Sequence, residues 1–94
     1  MEIADLLITP EILDKLLWKH SVIEMEVRQI FHDAPRYRFI ETGRYQGEHL
    51  YLALGVTDSG RYLSIFFIYK KTNDALIVTA RDMTESERKR YAKK

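Results

Sequence analysis

The chain contains no cysteine, only four glycines and two prolines, and almost no net charge. Without cysteine there is no disulfide framework and no thiolate metal site, and a reducing compartment is the expected setting. Long apolar runs are missing too: Leu63–Tyr69 is far shorter than a membrane span requires, and 31% of the residues are charged. Met1–Asp5 is acidic and has no cleavage motif, so the sequence predicts no secretion signal and a cytoplasmic protein. Fifteen Lys and Arg stand against fourteen Asp and Glu, a formal charge of +1 that gives no global attraction for nucleic acid.

What is present suffices for one core. A chain of 94 residues, 46% hydrophobic and 12% aromatic, predicts a single domain over 1–94. Its cations are unevenly spread. They crowd Arg36–Arg44 and the C-terminal stretch with Arg81, Arg88, Lys89, Arg90, Lys93 and Lys94, either as a phosphate-attracting patch or as a solvated face.

Thr9-Pro10 reads as a helix start, and Ile12, Leu13, Leu16 and Leu17 give that helix one apolar stripe to about Lys19. Ser21 with Glu24 predicts a capping box for a second helix, with Ile23, Val27, Ile30 and Phe31 on its apolar face. Ala34-Pro35 stops it. The period then changes from 3.6 to 2. Arg36–Thr42, Glu48–Val56, Tyr62–Tyr69 and Ala75–Ala80 predict four strands, and the short turns between them predict an antiparallel meander. Thr84 and Glu87 form a capping box for a last helix, Glu85–Lys93. The expected class is therefore α+β, in the order ααββββα.

Tyr62–Tyr69 is apolar on both faces. Leu63, Ile65 and Phe67 share one, and Tyr62, Phe66 and Ile68 the other. Either the helices wrap both faces of the sheet or a partner covers part of the second, through self-association or a different protein.

Three histidines and one arginine are the candidates for chemistry. His32 reads as a solvated helix end, and His49, near a strand start, suits either a structural or a chemical role, the structural one being favoured. His20 follows Lys19 in a tight connection between helices, where an imidazole can be held yet stay accessible for proton transfer. Arg81 leaves the last strand just before a capped helix N-terminus, where guanidinium and free N–H groups can face an anion. The alternative for Arg81 is a surface pair with Asp82 or Glu48.

Several short motifs occur in a suggestive order: Lys19-His20 followed by Val22, Arg44 with Gly47-Glu48, Leu54-Gly55, Thr79-Ala80-Arg81, and Glu87-Arg88 with Arg90-Tyr91. Over residues 10–93 this order resembles the BrnT family, toxin halves of type II toxin–antitoxin pairs with a fold like the RelE-type ribonucleases. The resemblance implies a metal-independent endoribonuclease without cofactor that inhibits translation. It also implies a bacterial host, neutralisation by a ribbon–helix–helix antitoxin, and DNA contact only through that complex. Carried onto this chain, the catalytic set would be Lys19, His20 and Arg81, with Arg44, Glu48 and Arg88 binding RNA. His20 would move the proton and Arg81 would hold the phosphate. Three positions depart from the pattern. Leu50 and Leu76 stand where many members carry arginine, and Asp82 stands where lysine is common, which weakens the case for cleavage more than the case for fold and partner. The same features also suit a catalytically inactive member of this fold that pairs with a small regulator, or a non-cleaving RNA-binding protein.

Overall fold

The computed structural model describes residues 1–43 and 47–93. Its elements run β1 (Leu6–Leu7), α1 (Pro10–His20), α2 (Glu24–His32), β2 (Arg36–Glu41), β3 (His49–Val56), β4 (Tyr62–Tyr69), β5 (Ala75–Asp82) and α3 (Glu85–Ala92). The α+β class is as expected. The sheet differs from the expected four-stranded meander, having five strands in the order β1-β5-β4-β3-β2. β2 to β5 form the antiparallel meander, and β1 adds a short parallel edge beside β5. Two residues are too few to show alternation, so β1 leaves no pattern in the sequence.

Thr9 caps α1, its hydroxyl accepting the Ile12 N–H at 3.2 Å, and Pro10 occupies the first turn. Ser21 does not open α2 as expected. It closes α1 in the left-handed region at φ 54°, donating its N–H to Leu17, while Val22 donates to Leu16. α2 starts after Ile23 instead, with Glu26 reaching back to the Ile23 N–H at 3.1 Å. A serine spent on the reversal cannot also cap the next helix. Ala34, at φ 52°, and Pro35 then turn the chain into β2.

The main core lies between α1 and α2 and one sheet face. Leu16, Val22, Val27 and Ile30 bury against Leu63, Ile65, Phe67 and Ile77. Gly55 lets α2 come close: a side chain there would begin 3.0 Å from the Ile30 Cγ2. On the outer face Leu52, Leu54 and Met83 form a smaller cluster with Tyr62, Phe66 and Tyr91 of α3. The Thr84–Glu87 capping box forms as expected, and its helix ends at Ala92. α3 covers only one end of that face. At the other end Leu50, Ile68 and Leu76 lie in one cross-strand row and remain partly exposed, with Val78 beside them at the surface.

Candidate functional site

Arg61 organises the corner where α1, α2 and the end of β5 meet. Its Nη2 donates to the His20 carbonyl at 2.7 Å and its Nη1 to the Ser21 carbonyl at 2.6 Å. The same guanidinium binds Asp82 through Nε at 2.7 Å and Glu26 at 3.2 Å. Its guanidinium is stabilised in the charged state mainly by the hydrogen bond to Asp82. In return the Asp82 carboxyl is held below the ordinary range, chiefly by Arg61 and in smaller part by the charge of nearby His20. Lys19 and His20 thus lie in the last turn of α1 and not in the expected connection between helices, and Arg61 ties down that turn through the His20 and Ser21 carbonyls. Lys19 is exposed, its Nζ 5.6 Å from the ring centre of Trp18, and His20 is half-buried.

Arg81 points the other way. Asp82 stands opposite Leu63 on the helix-covered face, so its neighbour Arg81, opposite Ser64, faces α3. There Glu87 binds it doubly, at 2.7 and 3.0 Å, and also accepts the Ser64 hydroxyl at 2.8 Å. Burial pushes the Glu87 carboxyl up, but Arg81, the Thr84 N–H and Ser64 outweigh it and bring it to about 2. The Phe66 ring lies 5.3 Å from the guanidinium. Neither expected ion pair holds Arg81: Asp82 offers it only a backbone carbonyl, at 3.1 Å, while its carboxylate binds Arg61, and Glu48 pairs with Lys70 at 3.0 Å. That pair depresses the Glu48 carboxyl, first through the Lys70 hydrogen bond.

The six site residues expected from the sequence therefore separate. Lys19 and His20 share the α1–α2 corner. Arg81 and Arg88 share the outer face, with Arg88 stacked 4.1 Å from the Tyr62 ring centre. Glu48 lies with Lys70, past the other end of β4 from Ser64, roughly 20 Å along the strand at ~3.3 Å per residue. Arg44 lies outside the described residues.

The chain matches no family model and no curated protein. The residues that organise its two polar centres, Arg61 with Asp82 and Glu87 with Ser64, were not among the sequence candidates. One signal for the second centre was legible. Ser64 is a fully buried hydroxyl inside an otherwise apolar strand, and a buried hydroxyl needs a partner. Arg61 carried no such mark, because an arginine after a turn is usually a solvated residue. Among the described residues no cluster of His, Asp and Glu is gathered for a metal, and no helix is long and apolar enough to cross a membrane.

Proposed function

We propose that the chain is a cytoplasmic protein-binding module, the toxin-like half of a BrnT-type pair. A small ribbon–helix–helix regulator would dock on the uncovered part of its outer sheet face. The observation that carries this reading is the row Leu50–Ile68–Leu76, three apolar side chains in register across three strands and partly exposed at the end of the face that α3 leaves uncovered. Such a row, rimmed by the Glu48–Lys70 pair, suits an apolar partner surface better than a phosphate backbone. Arginine at the two leucine positions would have made the same face cationic.

The test measures affinity between the chain and a ribbon–helix–helix protein encoded beside it, for wild type, Leu50→Arg and Leu76→Arg. Both positions are partly exposed; circular dichroism checks that each variant is folded, and each is expected to weaken binding by ~10–100-fold if the row is a central contact. Unchanged affinity in both variants would remove the docking face.

A second reading, metal-independent RNA cleavage, is favoured by one observation. The half-buried His20 and the exposed Lys19 share the last turn of α1, which Arg61 ties to Asp82 through the His20 carbonyl. In this reading His20 transfers the proton and Lys19 steadies the phosphate, while Arg81 can serve only if Glu87 releases it. Labelled RNA incubated with chelator tests it: His20→Ala should lower cleavage by ~10²–10⁴-fold in a folded chain. Absence of cleavage by the wild-type chain, free of any partner, leaves the binding module alone.

A further inference from the structure

The two ends of the sheet are finished differently. At one end the outer edge of β5 is taken by β1 and by the flanking bonds from Ala4 N–H to Asn73 and from Ala75 N–H to Asp5. At the other end β2 is paired, among the described residues, only with β3, and five of its six residues are exposed. Its outer edge is a row of backbone donors and acceptors open to another strand.

The side chains of β2 restrict what that strand can be. Phe39 stands opposite Tyr51 and Glu41 opposite Leu50, which leaves Ile40 as a bulged extra residue. In a regular strand, residues 38 and 41 point to opposite faces. Here the bulge restores them to the same one, since Arg38 opposes Leu52 and Glu41 opposes Leu50, both on the outer face. A cation and an anion thus flank Phe39, which is 50% exposed. Neither Arg38 nor Glu41 makes an ion pair among the described residues.

We propose that β2 pairs antiparallel with β2 of a second copy about a two-fold axis at Phe39, joining two sheets into one. With Ile40 again left out as the bulged residue, this register sets Arg38 opposite Glu41 of the second copy, and by symmetry Glu41 opposite its Arg38, with the two Phe39 rings meeting at the centre. A two-fold interface requires such self-complementarity. Charge rejects the neighbouring registers. An axis at Tyr37 sets Arg36 against Arg38 of the second copy, and an axis at Arg38 sets that residue against itself; directly opposed like charges destabilise a strand pair. The dimer is carried by the sheet edge and the regulator proposed above by the row Leu50–Ile68–Leu76; Glu41, opposite Leu50, borders both, so the dimer is tested on the chain alone.

Sedimentation equilibrium of the full chain over a concentration series tests the pairing. The variants are Arg38→Glu, Glu41→Arg and the double exchange Arg38→Glu/Glu41→Arg. Wild type is expected to dimerise reversibly. Each single reversal should weaken the dimer by about tenfold or more, because symmetry counts every reversed pair twice. The double exchange should restore wild-type affinity, which a folding defect in the single variants could not explain. A wild-type chain that stays monomeric would show instead that the bulge and charges of β2 guard the edge against pairing. A dimer indifferent to the single reversals, or one not recovered by the double exchange, would equally overturn the proposal.

Discussion

Arg81 and Glu87 meet fork to fork through two hydrogen bonds, Nη1 donating to Oε1 at 2.7 Å and Nη2 to Oε2 at 3.0 Å. The relationship explains how α3 stays on the sheet, because that helix buries no residue of its own. Its half-buried tyrosine and one bidentate ion pair carry the attachment. Arg81→Ala would leave the Glu87 carboxylate beside a buried hydroxyl without its counter-charge. We expect a loss of about 1–3 kcal/mol in urea unfolding, and only partial recovery with Arg81→Lys, which keeps the charge but loses the fork. A variant as stable as wild type would mean that Tyr91, the Ser64–Glu87 hydrogen bond and Arg88 on the Tyr62 ring hold α3 without the ion pair.

Acid should act on the same pair. The Glu87 carboxyl titrates at about 2 in the folded chain and near ~4.3 when unfolded. A depressed folded-state value stabilises in full above the unfolded value and is lost as pH falls through the folded one. The window is therefore roughly pH 4.5 down to 2, with a shift worth ~3 kcal/mol, reduced to ~1–2 by solvent screening. Unfolding free energies across that window should fall less steeply in Glu87→Gln than in wild type. Parallel curves would assign the acid sensitivity to other carboxylates.

Arg61 binds two carbonyls and two carboxylates from three separate parts of the chain. Arg61→Ala strands all four acceptors at a half-buried corner. The expected cost is about 2–4 kcal/mol. Lysine cannot reproduce five directed donors, so Arg61→Lys should recover less than half of it. Amide exchange should quicken at Ser21 and Val22, where α1 ends. Unchanged exchange there would show that the Ser21 turn holds itself.

At Gly55 the β3 backbone lies close against Ile30 of α2. A Cβ would start 3.0 and 3.1 Å from two Ile30 carbons, both belonging to a fully buried side chain. Gly55→Ala should cost about 1 kcal/mol and Gly55→Val up to ~3 by overpacking. Pairing Gly55→Ala with Ile30→Val should return part of the loss; strict additivity would mean the two do not touch.

Local chemistry alone determined much of this protein. Thr9-Pro10 and the Thr84–Glu87 box start helices because a cap needs only its own next turn. The alternation in Tyr62–Tyr69 specifies a strand apolar on both faces wherever it lies in the sheet. Which polar groups meet was left to the tertiary structure. Bulges shift the alternation of faces: Ile77 opposes Phe67 and Thr79 opposes Phe66, so Val78 is extra and the faces on either side of it are reset. Arg81 therefore finds Glu87 on α3, whereas Asp82, one residue later, finds Arg61 on the helix-covered side. The separation of His20 from Arg81 has the same origin. A strand sends successive side chains to opposite faces, and only the folded sheet decides which face each helix covers.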